Sequence, residues 1–254
     1  MIRIILLALL LLIFPSVSYA QALSADQKTE IEALIKKTML DNPEVIIKSV
    51  EDFRVRQQAE AEKKQAEDAQ AFLKKLGTSK TPFTAGNPKG DVTVVEFFDY
   101  NCGYCRKAFE DIQALLKDDE NVKIIFFDMP VLGSGSVEAA RWSVAAAKQG
   151  KYFDFHRRLI TRSGPKDEDA FSDVAKEAGL DVAQLKKDAG DSKTQEIIDE
   201  NLKQAGAMGF SGTPGFIIGT EMIRGYIGTD AMEEIIANIR KAAADGGEKA
   251  GSSE

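Results

Sequence analysis

Cys102 and Cys105 are the only cysteines in the chain, and they stand together as Cys102-Gly103-Tyr104-Cys105. At that spacing one thiolate can attack a disulfide and the second thiol can resolve the mixed disulfide that forms. Half of many zinc sites look the same, but a structural zinc ion wants four Cys or His ligands. The chain adds a single histidine, His156, to its two cysteines. No metal site is therefore assigned within one subunit, while a site shared between subunits stays open.

Reactivity at such a pair depends on what holds it. The run Val92 to Phe98 is apolar, β-branched and aromatic, the composition of a buried strand, and it leads through Asp99, Tyr100 and Asn101 into the motif. A helix-like segment follows from Gly103. The N–H groups and positive dipole end of that helix would stabilise an anion on Cys102, making it the attacking nucleophile, with Cys105 one turn on as the resolving thiol.

Compartment is readable from the first residues. Arg3 precedes the apolar run Ile4 to Phe14, then come Pro15 and small residues ending Ser18-Tyr19-Ala20. This is the pattern of a secretory signal, too short to span a bilayer core, with cleavage after Ala20 or Ala22. In an oxidising compartment a protein stapled for stability carries several spread cysteine pairs, whereas both cysteines here sit in one small loop. A bridge that short restricts the unfolded chain little, so its value is reactivity. The formal net charge of −7 argues against nucleic acid or anionic lipid as partners.

Taken in order, Ser24 to Gln27 can form a capping box ahead of Ile31, Leu34, Ile35 and Met39, which predicts a helix to about Leu40. Asn42 and Pro43 suit the N-cap and first position of a second helix with Ile46, Val50 and Phe53 on one face. Gln57 to Gln70 is almost free of large apolar residues and reads as an exposed helix or linker that cannot belong to a core. Because their apolar faces need a cover, residues 23–76 read as a stalk through which copies of the chain associate, the alternative being packing on the same chain.

Thr78 to Asp91 reads as a turn-rich connection. Asn121 to Met129 is a second buried strand, so strand, Cys-x-x-C helix and strand make a βαβ unit and an α/β core. Helical patterns then run through Val137–Lys148, Tyr152–Ile160, Asp167–Glu177, Val182–Ala189 and Thr194–Met208. Short strands return at Gly215–Ile218 and Glu221–Tyr226, followed by a helix from Thr229 to about Ala243 and a Gly, Ser and Glu tail expected to be disordered. The expected domains are a signal peptide at 1–20, a helical stalk at 21–76, an α/β domain at 77–243 with a helical insertion at about 131–209, and a tail at 244–254.

The run EFFDYNCGYC, the segment Gln149 to Tyr152 with Phe155-His156 after it, and Gly212-Thr213-Pro214-Gly215-Phe216 opening a strand together resemble the DsbA-type thioredoxin-like thiol-disulfide oxidoreductases. Within that group the chain is most similar to ScsC-like isomerases, whose N-terminal helical extension serves oligomerisation and which residues 23–76 resemble. The resemblance implies a thioredoxin fold with a large helical insertion and a cis Thr213-Pro214 bond beside the cysteines. Such a loop turns backbone groups outward for an extended client to pair with, so Thr213 and Pro214 are assigned to substrate binding.

By the same resemblance Thr213 points toward isomerases, and the Gly103-Tyr104 dipeptide lacks the histidine of strongly oxidising members, which leaves Cys102 less stabilised as thiolate. Glu96, six residues before Cys102, matches the family's buried acid; a carboxyl there has a raised pKa and can relay a proton to or from Cys105. Asp99 is a rival, read here as a solvated strand-end residue. His156 reads as a packing or hydrogen-bonded residue, and Trp142, Phe126 and Phe127 as core.

These readings add up to a periplasmic disulfide isomerase or reductase with no cofactor. It would act on misfolded or wrongly bridged exported proteins and be kept reduced by a membrane thiol reductase. A DsbA-like dithiol oxidase is the alternative within the same chemistry. From a different class, two soft thiolates and the ScsC resemblance allow a Cu(I)-binding copper-tolerance protein.

Overall fold

A computed structural model describes residues 23–77 and 83–251. The expected signal peptide, Pro82 and residues 252–254 lie outside the described residues. The chain divides into two compact units, Met1–Gln58 and Ala59–Glu254.

In the first unit, α1 (Ala25–Asp41) opens on the expected capping box, with Ser24 and Gln27 bonding each other's backbone N–H. Asn42 departs from its expected role. Its amide Nδ2 donates to Thr38 O at 2.8 Å, so the side chain closes α1 instead of capping the helix that follows. That helix, α2 (Pro43–Gly77), starts at the proline as expected. Ile31, Leu34, Ile35, Met39, Ile46, Val50 and Phe53 are all exposed, and Met39, Val45, Ile46, Val50 and Phe53 line an open apolar groove at the bend between α1 and α2.

The second unit is built on a five-stranded sheet of order β1-β3-β2-β4-β5. Its strands are β1 (Thr84–Gly86), β2 (Val92–Phe98), β3 (Val122–Asp128), β4 (Gly215–Ile218) and β5 (Glu221–Arg224). Only β2 and β3 pair in parallel, Val92 opposite Val122 through Phe98 opposite Asp128, because α3 (Gly103–Asp118) makes the crossover between them. The helices α4 (Ser134–Lys148), α5 (Tyr152–Thr161), α6 (Glu168–Glu177), α7 (Val182–Ala189) and α8 (Ser192–Ala207) form the insertion, and α9 (Thr229–Gly251) follows β5.

The two-residue period of the strands sorts the core into two layers. Val94 and Phe98 of β2, Ile124 and Phe126 of β3, and Phe216 and Ile218 of β4 face a cluster completed by α3 and by helices of the insertion. Val95, Phe97, Ile125, Phe127 and Ile217 face the other side, where Ala69, Phe72 and Leu76 cover them.

That second layer corrects one expectation. Gln57 to Gln70 is continuous helix, supported by exposed pairs such as Lys64–Asp68 at 2.6 Å, but it is not free of core residues, since Ala69 is fully buried. A small side chain carries no signal in an apolar pattern, yet here it lets the helix backbone approach the sheet. Ala69, Phe72 and Leu76 recur at helical spacing on one face, and the Phe72 ring lies 5.5 Å from Phe127 and 6.1 Å from Phe97.

Two further differences concern chain ends and edges. The connection before β2 contains the edge strand β1, antiparallel to β3. Gly86 ends it at φ +73°, where a Cβ would stand 2.4 Å from Val122 O. At the other end α9 runs to Gly251, past the expected stop at Ala243 and through Gly246-Gly247, an extension that helix propensity does not explain.

Candidate active site

The site forms where β2 ends and α3 begins. Cys102 is the N-cap of α3, with φ −80° and ψ 118°, and its side chain makes no capping hydrogen bond. Its own N–H donates to Asp99 O at 3.1 Å, and its carbonyl accepts from Arg106 N. Both thiols are free; Cys105 is wholly buried and Cys102 only 9 % exposed.

The chain returns to the cysteines from more than a hundred residues further on. Thr213-Pro214 is a cis peptide bond, as the resemblance implied, and Thr213 O lies 3.4 Å from Cys102 Sγ. Pro214 O accepts from Gly225 N, tying the loop to the end of β5. Gly215 then has to be glycine, because a Cβ would stand 2.5 Å from the Phe210 ring.

The two thiols are driven apart in acidity. Cys102 is lowered to about 6, first by a hydrogen bond from the Cys105 thiol, then, against the opposing effect of burial, by Thr213 and by the N–H groups of Cys105 and Tyr104. Cys105 is pushed far up by burial, by its bond to Cys102 and by the charge of Glu96. The pair is thus one thiol that ionises readily and one that burial holds protonated.

Glu96 sits in the middle of β2, opposite Phe126 on one side and Phe216 on the other. Strand alternation places its side chain in the layer of Val94 and Phe98. It is buried, its Oε1 has no hydrogen-bond partner among the described residues, and its pKa is raised by burial and by the charge of Cys102.

Asp99 is not solvated, contrary to expectation. It is buried, and its carboxylate accepts from Asn101 N at 2.8 Å, Val131 N at 2.9 Å and Leu132 N at 3.0 Å. Three backbone donors take the place of water, and they join the turn before Cys102 to the loop between β3 and α4. His156 packs as expected: its ring lies among Phe98, Phe109 and Phe126, its Nδ1 is 2.9 Å from Tyr100 Oη, and burial lowers it to about 3.

Reading the sequence missed a second buried acid. Asp128 ends β3, is raised to about 8 chiefly by burial, and accepts from Tyr152 Oη at 3.2 Å. The signal was available, since strand alternation puts Asp128 on the same face as Ile124 and Phe126. Tyr104, between the cysteines, is 65 % exposed, with its ring 5.9 Å from Tyr226. Among the described residues no group of three or more His, Cys, Asp or Glu is placed to hold a metal ion.

A thioredoxin family model matches residues 78–238, which is more than half of the chain. The chain belongs to the thioredoxin family. This thioredoxin-family protein also matches, over residues 27–60, the model described as the copper resistance protein ScsC N-terminal domain. It is 37 % identical to a thioredoxin-like oxidoreductase from Silicibacter pomeroyi, covering 65 % of this chain and 99 % of that one at a TM-score of 0.60. A linker-deletion mutant of Proteus mirabilis ScsC shares the fold over 87 % of this chain and 98 % of its own, with TM-score 0.62 and 21 % identity. Among curated relatives, the antiporter NhaA of Herminiimonas arsenicoxydans is 28 % identical over 61 % of this chain. The thioredoxin-family protein spans about a quarter of the length of that relative.

Proposed function

We propose that the protein is an exported thiol-disulfide oxidoreductase working as a disulfide isomerase or reductase on wrongly bridged proteins. The observation that carries this reading is the placement of Cys102 at the N-cap of α3, 3.4 Å from Thr213 O, with Cys105 wholly buried, an arrangement that lowers the Cys102 pKa and raises that of Cys105. The Cys102 thiolate attacks one sulfur of a client disulfide, the client S–S bond breaks, and a client thiolate leaves. If that thiolate re-attacks elsewhere, the client is rearranged with no net change in electrons. If Cys105 instead loses its proton toward Glu96 and attacks Cys102, the client leaves as a dithiol and Cys102–Cys105 is the new disulfide. That second outcome takes two electrons from the protein, so a membrane thiol reductase is its natural partner.

Thr213 and Pro214 are the client-binding backbone in this scheme, beside the sulfur that carries the mixed disulfide. The exposed apolar face of α1 and the start of α2 suits association with further copies through residues 23–76, which would present several sites to one client. Arg3 with the apolar run after it supports export to the periplasm.

Refolding of scrambled ribonuclease without added oxidant tests the reading. Recovery of activity is expected with the reduced protein and lost in Cys102→Ser. Efficient oxidation of reduced ribonuclease with no recovery of the scrambled form would favour the dithiol oxidase instead. The match to a copper resistance N-terminal domain favours one second reading, Cu(I) held by the two soft thiolates, tested by titrating Cu(I) into the reduced protein against a competing chelator.

A further inference from the structure

The two halves of the site come from distant parts of the chain. Cys102 begins α3, whereas Thr213 and Pro214 precede β4, and the pairing of β2 with β4 ends at Phe97 and Gly215, short of both. Beyond that point the loop between β5 and α9 ties them together. Gly225, at φ +117° where glycine is favoured, donates its N–H to Pro214 O at 3.0 Å. The next residue, Tyr226, reaches to α3, where its Oη donates to Asp111 Oδ2 at 2.7 Å. Its ring lies 5.9 Å from the ring of Tyr104, between the cysteines, and 4.5 Å from Lys107 Nζ. Asp111 Oδ1 accepts from Thr229 Oγ1 at 3.0 Å, so each of its oxygens holds one end of the same loop.

We propose that Asp111 and Tyr226 are positioning residues, holding the cysteine helix and the cis-proline loop in register so that an extended client meets both at once. This inference rests on the thiol-disulfide reading above and adds the residues that keep its two halves aligned. Each acts through another: Tyr226 through Tyr104 and through its neighbour Gly225, Asp111 through Tyr226. An extended client needs its sulfur in line with Cys102 Sγ and its backbone paired beside Thr213 and Pro214 in one pose. A small disulfide needs only the first. A carboxylate that accepts from two hydroxyls suits the task, because charge-assisted bonds are stronger and more directional than neutral ones. A comparable anchor sits at the opposite end of α3, where Arg240 of α9 donates to Asp91 and to Asp119, the C-cap of α3, and it serves as the control.

The test uses two probes with one leaving group: an unstructured peptide whose single cysteine is disulfide-bonded to 2-mercaptoethanol, and hydroxyethyl disulfide. In each, the Cys102 thiolate attacks one sulfur, the probe S–S bond breaks, and 2-mercaptoethanol leaves as its thiolate. Cys105 then attacks Cys102, which releases the remaining half of the probe as a thiol and leaves Cys102–Cys105 as the new disulfide. The readout is the second-order rate constant of the reduced, full-length protein with the peptide, divided by that with hydroxyethyl disulfide. Tyr226→Phe keeps the ring and loses the bond to Asp111, so the ratio should fall by about threefold, the worth of one modest hydrogen bond. Asp111→Ala should lower it as far or further, and Asp111→Asn, whose amide can still bond both hydroxyls, should recover most of that loss. Arg240→Ala should lower unfolding stability and leave the ratio at the wild-type value. A ratio unmoved in Tyr226→Phe or in Asp111→Ala, one as low in Asp111→Asn as in Asp111→Ala, or an equal fall in Arg240→Ala would overturn the inference alone. A reduced wild type that opens neither probe would overturn the thiol-disulfide reading and this inference with it.

Discussion

The sulfur of Cys102 lies 3.4 Å from the carbonyl oxygen of Thr213, a residue 111 positions further along the chain. The sheet makes this contact possible, because β4 pairs with β2 in the order that brings Gly215 opposite Phe97, just before the turn that carries the cysteines. One strand ends on the nucleophile and its antiparallel neighbour begins on the backbone proposed to receive the client.

The acidity of Cys102 should depend first on its partner thiol. Thiolate absorbance in the ultraviolet is expected to titrate with a midpoint of about 6 in the reduced protein. Cys105→Ala removes the leading stabilising hydrogen bond, so the midpoint should rise. A midpoint that stays put would assign the depression to the helix N–H groups alone.

Asp128 should make stability depend on pH. Its folded-state pKa of about 8 stands above the ordinary 3.8, so its contribution is fully present below about pH 4 and is lost as pH rises toward 8. Glu96 acts in the same direction. Urea unfolding at about pH 4 and about pH 8 should show that Asp128→Asn flattens the decline, by on the order of 2 kcal/mol.

Phe72 should matter to the second unit although it lies in a helix that begins in the first. It packs on Phe97 and Phe127 and is buried. Phe72→Ala is expected to destabilise the domain by about 3–4 kcal/mol, read from thermal or denaturant unfolding. Phe53→Ala, at an exposed position in the first unit, should cost the isolated fold little.

Much of this arrangement could be read from the sequence, for reasons visible residue by residue. Val92 to Phe98 and Val122 to Asp128 are apolar enough to be strands in any context, and the capping box at Ser24 marks a helix start by local chemistry. What escaped was set by partners far away. Asp99 looked like a strand-end residue because its acceptors serve Val131 and Leu132, 32 and 33 positions distant. Ala69 looked like part of a polar helix because alanine is silent in a hydrophobic pattern, and β1 is too short to carry any period. Asp128 was missed although alternation along β3 already placed it inside.

The uncovered apolar face of the first unit leads to a prediction about mass. Changing Leu34, Ile46 and Phe53 together to Ser should lower the solution mass by light scattering if copies associate through this face. Reaction with a small disulfide such as hydroxyethyl disulfide should be retained. An unchanged mass would remove the stalk from the account.

The central claim is that Cys102 is the nucleophile and Cys105 resolves, and trapping tests it most directly. Cys105→Ala, mixed in the reduced state with scrambled ribonuclease, should accumulate a mixed disulfide that mass spectrometry places on Cys102, while Cys102→Ala should accumulate none. An adduct on Cys105 of the Cys102→Ala protein, or no adduct in either variant, would contradict the account.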